Sequence, residues 1–334
     1  MQTITAKNVS EAFYLGLQAL DAGGRVIQAR GGNKVVEFET PVLTTYKSPT
    51  ERVLFYEVRD ANPYFHLMES LWMLQGRNDV KWIAQFNGRM NNYTDDGITF
   101  HGAYGYRWRN WFRKDQLALA IHRLTTFEND RRTVVSMWDA TTDLTNLNTG
   151  ADLPCNTQIY FQARDGILDM TVVNRSNDMI WGAYGANAVH MSVLQEYMAA
   201  RCNMKIGRYY QFSNNLHAYV DVLEKMQPII GKPEFDPYAT LNDDGSHYHS
   251  EPIVTDPKSF DLELWHWFTK QQDETFEDMD YKNTWIDRVA TPMLQSWVNH
   301  KAGNKEDAML SAELIEDKAW SKACVEWLQR RYNK

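Results

Sequence analysis

Two apolar runs in the middle of the chain carry the period of β-strands. Residues 158–164 and 167–174 are rich in Ile, Val, Tyr and Phe, which favours strands. Asp165-Gly166 between them is a preferred pair for a two-residue type I′ turn. The pattern therefore predicts a hairpin, and a two-residue turn fixes its register. The expected pairs are Ile159 with Val172, Asn156 with Arg175, and Cys155 with Ser176.

Helical spacing of apolar residues recurs elsewhere in the chain. Asn62-Pro63 is a strong helix start and Gly76 the matching stop. Further helices are predicted over 9–22, 116–127, 188–201, 260–271, 290–301 and 306–332. The last has neither Gly nor Pro between its ends, so a break into two helices cannot be placed. Strands are predicted over 133–138 and 209–212, a turn of small residues within 26–38, and long loops over 88–101 and 227–255.

Composition narrows the class of protein. The chain has 334 residues, 43% of them hydrophobic and 23% charged, as expected of a globular protein with a sizeable core. The net charge of −8 argues against a general nucleic-acid binder, which needs a basic face. It leaves room for a small anion held by a local arginine cluster.

The chain is expected to work in a reducing compartment, the cytoplasm. Its start lacks the pattern of a signal peptide, and no apolar run approaches the length of a membrane helix. Three scattered cysteines, Cys155, Cys202 and Cys324, are too few for a disulfide framework or a zinc site. We therefore expect no metal.

The open end of the predicted hairpin gathers groups that carry chemistry. It brings the thiol of Cys155 near the guanidinium of Arg175, the hydroxyl of Ser176 and the carboxylate of Asp178. A fixed positive charge stabilises a thiolate, and the thiolate is the nucleophile. The alternative is a buried structural cysteine, the usual fate of a free cysteine.

Glu69 lies on the helix that starts at Pro63, in apolar company. Phe65, Trp72 and Met73 lie three or four residues away, on the same helical face. Exposure at the rim of the helix is the default interpretation for such a carboxylate. The alternative is a functional acid in an apolar pocket.

Three further polar groups have two interpretations each. Arg131-Arg132 precedes a predicted strand and is either a solvated pair or a phosphate-binding pair. Adjacent strand residues point in opposite directions, so one chain cannot easily use both on one ligand. His217 and Tyr219 share a face if extended, which suits a polar pocket wall. Arg30 lies in a small-residue turn that is either a ligand contact or an ordinary hairpin tip.

Seven motifs of the chain, taken in order, resemble those of the thymidylate synthase superfamily, which includes the phage deoxypyrimidine hydroxymethylases. The resemblance covers roughly residues 10 to 222. The motifs are Glu69-Ser70-Leu71-Trp72-Met73-Leu74-Gln75-Gly76, Arg131-Arg132, Leu153-Pro154-Cys155, Arg175-Ser176-Asn177-Asp178, Trp181-Gly182, Asn187 and His217-Ala218-Tyr219.

This resemblance implies an α/β (α+β) fold, with a mixed sheet flanked by helices. It implies a homodimer that acts on a pyrimidine nucleotide 5′-monophosphate with 5,10-methylenetetrahydrofolate. We expect residues 1–222 to form the catalytic core. Residues 223–334 are then a loop insertion and a helical C-terminal extension packed on that core.

The resemblance also implies roles for individual residues. Cys155 resembles the nucleophile that adds to C6 of the base, and Glu69 the acid-base group that acts through water. The expected phosphate ligands are Arg175 and Ser176 from one subunit, Arg131 and Arg132 from the other, and Arg30. Asn187 resembles the reader of the pyrimidine edge, and His217 with Tyr219 the pair that holds the sugar hydroxyl. Tyr104 is expected near the base, and Asp178, Trp181 and Gly182 near the folate.

Departures from the family pattern bear on the reaction. Met90-Asn91-Asn92-Tyr93 stands where methylating members carry Trp, and Asn156 stands where they commonly have His. The chain also runs on for about 110 residues past Tyr219, whereas methylating members end near a short apolar tail. A less sealed site favours capture of the methylene by water, so we expect 5-hydroxymethylation through a covalent Cys–C6 adduct. Reductive methylation of dUMP stays open.

The base is also left open. Asn187 offers both donor and acceptor and favours uracil, hence dUMP. One extra residue between Gly182 and Asn187 allows Ala186 to occupy the position that contacts the base instead, and dCMP is then again a possible substrate. A regulator that binds nucleotide or RNA without turnover is disfavoured, because Cys155, Glu69 and the arginines are all present. If phage-encoded, the protein is expected in the host cytoplasm.

Overall fold

Two mixed β-sheets carry the fold in the computed structural model, which describes residues 1–29, 32–127, 129–145, 152–232, 235–242, 246–273 and 275–333. Arg30 lies outside the described residues, so its predicted role is a sequence prediction only. The strands of the described part are β1 (Gln2–Ala6), β2 (Arg25–Gln28), β3 (Lys34–Glu37), β4 (Val42–Tyr46), β5 (Val134–Ser136), β6 (Asn156–Arg164), β7 (Ile167–Asn174), β8 (Asn177–Asp178), β9 (Lys205–Ser213) and β10 (Leu216–Tyr219).

The larger sheet runs in the order β1-β4-β9-β7-β6-β5, and the smaller in the order β2-β3-β10-β8. In the larger sheet β1 pairs parallel with β4 and β7 with β9, while its other pairs are antiparallel. In the smaller sheet β10 runs parallel to β8 and antiparallel to β3. The predicted mixed sheet with flanking helices is confirmed.

The predicted hairpin is confirmed except at its open end. Asp165 and Gly166 have φ of 50° and 72°, as a type I′ turn requires, and Ile159 faces Val172. The register then shifts between Asn156 and Gln158, and Asn156 faces Asn174. The predicted pairs of Asn156 with Arg175 and Cys155 with Ser176 are therefore wrong, because a β-bulge adds one residue to β6.

The helices agree closely with the predicted spans. Those of the described part are α1 (Val9–Gly23), α2 (Pro63–Leu74), α3 (Val80–Ala84), α4 (Tyr104–Tyr106), α5 (Gln116–Thr126), α6 (Ala140–Asp143), α7 (Asn187–Arg201), α8 (Val220–Lys225), α9 (Phe260–Lys270), α10 (Thr291–Ala302), α11 (Lys305–Glu313) and α12 (Lys318–Tyr332). The predicted span 306–332 is thus two helices, and the Asp317 side chain caps the second. None of the described helices is long and apolar enough for a membrane span.

Helix α2 is buried along its whole length. The Asn62 side chain accepts a hydrogen bond from the Phe65 N–H at 3.1 Å, and Pro63 occupies the first turn, as predicted. All twelve residues from Pro63 to Leu74 are buried. On one side α2 packs against α7, and on the other against α10 and α12.

Residues after 222 share a hydrophobic core with those before it. The Tyr64 hydroxyl lies 2.7 Å from the Ser296 hydroxyl, and the Tyr64 ring contacts Trp297 and Trp327. Ser296 also donates to the Ala308 carbonyl at 2.7 Å. The C-terminal helices therefore support the helix that carries Glu69. The division of the chain at residue 222 stays a prediction.

Replacing Trp297 by Ala should destabilise the protein by about 3–5 kcal/mol, the usual cost of removing a buried Trp side chain. Trp297 is 6% exposed and its ring meets Tyr64, Phe86 and Trp327. Urea denaturation measures the loss. Trp265→Ala, at a position that is 47% exposed, is the matched control and should cost far less. Equal losses would contradict the packing role of Trp297.

Candidate active site

A cavity of about 270 Å³ opens beside the buried helix α2. Its wall is built by four parts of the chain: α2, the segment from 90 to 104, the loop before β6 and the start of α7. The cavity is lined by the polar side chains of Glu69, Tyr104, Asp152, Asn187 and His190, and by Pro154 of the loop before β6. Three of the predicted site residues therefore meet at one cavity.

Glu69 lies inside this cavity and not at the rim of its helix. It is 8% exposed, so the default interpretation of rim exposure was wrong. Its Oε2 faces His190 Nε2 at 3.1 Å, but neither atom completes a well-directed hydrogen bond within the described part of the chain. His190 was missed from sequence. The available signal was its position three residues after Asn187 on a predicted helix.

Tyr104 is held close to α2 by a glycine. A Cβ on Gly105 would lie 2.0 Å from the Met73 carbonyl oxygen, so only Gly allows this approach. The Tyr104 hydroxyl interacts with the backbone of Asn156 and Cys155. Burial raises the pKa of Tyr104 well above its ordinary value. Tyr104 is therefore a neutral hydroxyl beside the cysteine.

Arg175 is hydrogen-bonded to the loop that ends in Cys155. Its backbone N–H donates to the Cys155 carbonyl at 2.9 Å. Its guanidinium donates to the carbonyls of Pro154 at 3.0 Å and Leu153 at 3.1 Å. Arg175 thus positions the loop that ends in Cys155 as well as carrying a charge. Ser176, the next residue, is half-buried.

The Cys155 thiol is partly buried. Burial raises its pKa, the charge of Arg175 opposes that effect, and the carboxyl of Asp178 adds to it. The predicted stabilisation of the thiolate by Arg175 is therefore outweighed in the free protein. Burial therefore favours the protonated thiol over the thiolate, which is the reactive form of a cysteine.

A directed chain of hydrogen bonds reaches Asn187 from the interior. The Ala183 carbonyl can only accept, so it fixes the Gln211 amide as a donor at 3.1 Å. Gln211 Oε1 then accepts from Asn177 Nδ2 at 3.4 Å, and Asn177 Oδ1 accepts from Asn187 Nδ2 at 3.0 Å. The amide of Asn187 is thereby held in one orientation.

Gly182 makes room for this chain. A Cβ at Gly182 would lie 2.7 Å from Asn177 Oδ1 and 3.2 Å from Asn187 Nδ2. Ala186 and Asn187 both line the cavity, so the extra residue does not remove Asn187 from it. The role of Asn177 was missed from sequence because its partners lie on β9 and α7.

A second cavity, of about 540 Å³, adjoins the first. Phe65, Met90 and Tyr93 line both cavities. The second cavity is also lined by Asp178, Trp181, Tyr219 and, from the last helix, Arg331. Arg330 and Arg331 both pair with Asp60, so the C-terminal helix forms part of this wall.

Asp178 and Trp181 are held together at the second cavity. The Trp181 N–H donates to Asp178 Oδ1 at 2.5 Å, and the Arg59 guanidinium lies 4.1 Å from the Trp181 ring centre. Asp178 Oδ2 is buried without a hydrogen-bond partner among the described residues. Burial raises the pKa of Asp178 to about 6, against the opposing effect of the Trp181 N–H and Arg59.

His217 and Tyr219 share one face of β10, as predicted. Their rings meet edge to face with centres 5.9 Å apart. His217 Nδ1 lies 2.7 Å from Asn215 Oδ1, and Asn215 donates to Glu37. Burial lowers the pKa of His217, although the charge of Glu37 opposes this.

Two predicted ligands do not join the cavities of their own chain. Arg131 and Arg132 are exposed at the entry to β5, and neither lines either cavity. β5 is the edge strand of the larger sheet. These two arginines are therefore available to something outside this chain.

The geometry brings together at one cleft the loop that ends in Cys155, the buried carboxylate of Glu69 and the amide of Asn187. Sequence comparisons define the family. The thymidylate synthase family model matches residues 35–272, and the chain belongs to this family.

Three relatives show how the similarity is distributed. A deoxyuridylate hydroxymethyltransferase of Pseudomonas phage M6 is 45% identical over 99% of this chain and 95% of the relative. A deoxyuridylate hydroxymethyltransferase of Bacillus phage SP01 is 33% identical over 69% of this chain and 63% of the relative. A thymidylate synthase of Buchnera aphidicola is 29% identical over 52% of this chain and 67% of the relative.

Asp178→Asn should gain stability relative to the native protein as the pH rises from 4 to 7. The folded-state pKa of about 6 exceeds the ordinary 3.8, so the native fold holds this proton more tightly than the unfolded chain. Native stability then falls as the pH rises between these two values, while Asn stays neutral. Melting temperatures of both proteins across this range measure the effect. Asp21→Asn, at an exposed position, is the control, and a constant difference for Asp178→Asn would contradict the prediction.

Proposed function

We propose that this protein is a deoxyuridylate hydroxymethyltransferase, which converts dUMP to 5-hydroxymethyl-dUMP. The observation that carries the proposal is the single cavity where the Cys155 loop, Asn187 and Glu69 meet. The 45% identity to the enzyme of Pseudomonas phage M6, over nearly the whole of both chains, supports the same reaction. The phage origin of the similar hydroxymethyltransferases supports a place of action in a host cytoplasm.

Cys155 is proposed as the nucleophile. C5 of uracil is a poor nucleophile until a thiolate adds to C6, so covalent catalysis is needed. Tyr104 and Glu69 flank the reacting ring in this arrangement, with Glu69 as the group that moves protons. Because burial raises the pKa of Cys155, nucleotide binding and loss of the thiol proton are coupled.

The nucleotide phosphate is proposed to bind at Arg175 and Ser176. Their position next to the Cys155 loop supports this, since the Arg175 guanidinium donates hydrogen bonds to two backbone carbonyls of that loop. Arg131 and Arg132 of the partner subunit complete the phosphate site, and Arg30 is proposed to join them. Remote phosphate binding then positions the ring against the thiol.

Asn187 is proposed to read the base. Its amide nitrogen is already held by Asn177, so its oxygen stays free for the uracil N3–H and its second hydrogen for O4. An amide held in one orientation cannot match uracil and cytosine equally, because their donors and acceptors are exchanged. The names of the phage relatives support uracil. His217 and Tyr219 are proposed to hold the sugar hydroxyl.

The second cavity is proposed to bind 5,10-methylenetetrahydrofolate. Trp181 and Tyr219 offer flat faces, and the unpartnered Asp178 Oδ2 offers an acceptor to a pterin N–H. Gly182 lies beside them, where its missing side chain keeps the Asn177–Asn187 pair intact. Bound there, the folate supplies a one-carbon unit at the oxidation level of formaldehyde.

A homodimer is proposed, with Arg131 and Arg132 reaching across the interface. One face of the larger sheet packs on the core, while the other exposes Val134, Tyr160 and Ile167, each at least 40% accessible. An exposed apolar sheet face suits an interface between two subunits. Arg131 and Arg132 lie at the edge of that face.

Incubation with methylenetetrahydrofolate and either dUMP or dCMP tests the reaction by mass spectrometry. We expect dUMP to gain CH₂O, dCMP to react far more slowly, and Cys155→Ala to abolish product, because the covalent step is lost. A product heavier by CH₂ alone, with dihydrofolate formed, would instead establish reductive methylation. Preferred turnover of dCMP would move the base assignment away from uracil.

Mixing two inactive variants tests the shared site. Cys155→Ala and the double variant Arg131→Ala/Arg132→Ala should recover about a quarter of native activity after subunit exchange, since half of the dimers are mixed and each has one intact site. Cys155→Ala mixed with Arg175→Ala is the control and should recover none, because each residue serves its own subunit's site and a mixed dimer therefore has one defect in each site. Recovery in neither mixture would contradict the proposed sharing.

A further inference from the structure

His190 is a buried histidine without the hydrogen bonds that buried histidines normally have. It is 3% exposed, and neither of its ring nitrogens has a hydrogen-bond partner among the described residues. His266, which is 4% exposed, shows the ordinary arrangement. Its ring nitrogens lie 2.9 Å from the Tyr281 hydroxyl and 2.7 Å from the Glu277 carbonyl oxygen. An unsatisfied buried polar group needs a partner, and no described residue gives His190 a well-directed hydrogen bond.

The cavity provides the space for such a partner. His190 and Glu69 both line it, and their facing atoms are 3.1 Å apart. Glu69 Oε2 also has no hydrogen-bond partner in the described part of the chain. Two unsatisfied polar groups that converge on one cavity form a site for water, which can donate to one and accept from the other.

The same helical face carries the proposed base reader. Asn187 and His190 are three residues apart on α7, so their side chains are neighbours. Both line the cavity. A water molecule held by His190 and Glu69 is thus next to the ring that Asn187 would orient, in the direction of the C4 and C5 edge.

We propose that His190, together with Glu69, holds the water that attacks the one-carbon unit and accepts its proton. This inference rests on the proposed function. It assigns the step that separates hydroxymethylation from methylation to a residue pair in the nucleotide cavity. His190 is then a catalytic residue for hydration and plays no part in the earlier steps.

The step balances in atoms and electrons. The acceptor is the C5 exocyclic methylene of the nucleotide that is covalently bound to Cys155 through C6. Water oxygen forms a bond to the methylene carbon, and the electron pair of that C=C bond moves onto the C4 carbonyl oxygen. The water proton passes to the His190–Glu69 pair. Return of the electrons then re-forms the C5–C6 double bond, and the Cys155 thiolate leaves.

The test compares two products of one reaction. With [5-³H]dUMP, release of tritium reports formation of the methylene group, and 5-hydroxymethyl-dUMP reports its hydration. The native protein should give the two in equal amounts. His190→Phe, which keeps a ring but no polar atoms, and His190→Gln, which cannot accept the proton, should retain tritium release and lower the product about 10²-fold. Added 2-mercaptoethanol should trap the accumulated methylene as a thioether.

Two controls separate this inference from the proposed function. His266→Phe removes a buried histidine that lines neither cavity and should leave the ratio of product to tritium release unchanged. Covalent capture of 5-fluoro-dUMP with the folate, detected by mass spectrometry of the intact protein, tests Cys155 without any hydration step. Failure of capture in the native protein would overturn the proposed function. If capture is normal, the His190 variants decide the inference. The role of His190 would be overturned if its variants kept the native ratio of product to tritium release, or if they lost tritium release as well.

Discussion

The burial of α2 on all sides is the constraint on which the site depends. A helix with no exposed face cannot turn a carboxylate to solvent, so Glu69 must face a partner or a cavity. The sheet side of the molecule packs on α2 through α7, and the C-terminal helices pack on it through Tyr64, Trp297 and Trp327. The core therefore holds the Glu69 carboxylate in place. The residues past 222 stabilise the helix that carries Glu69, although none of those described lines the cavity beside it.

The two cavities share a wall of Phe65, Met90 and Tyr93. The family chemistry needs a nucleotide and a folate in contact, and adjoining cavities with a common side suit that need. The charged groups differ between them: among the described residues, the smaller cavity is lined by carboxylates without any arginine, whereas the larger is lined by Arg59, Arg89 and Arg331 as well as two aspartates. In the proposed function, this arrangement separates base recognition and hydration from binding of the one-carbon donor.

Local patterns predicted much of this fold. The Asn62 cap, the Asp165-Gly166 turn and the pairing of Ile159 with Val172 all follow from short-range rules and are confirmed. The bulge in β6 and the break after Glu313 do not follow, because neither is marked by Gly or Pro. The site was found through motifs. The raised pKa of Cys155 and the contact of His190 with Glu69 depend on burial and on distant segments, which no local pattern reports.

The chain of hydrogen bonds from Ala183 to Asn187 has a consequence for how such an enzyme can evolve. Its direction is set by a backbone carbonyl, which no side-chain substitution can reverse. A carboxylate at position 187 would meet the Asn177 oxygen with another acceptor, so a single substitution there creates a mismatch inside the protein as well as a new preference outside it. With Asn187 in the proposed role of base reader, a change of base preference therefore needs a second substitution, at Asn177 or Gln211.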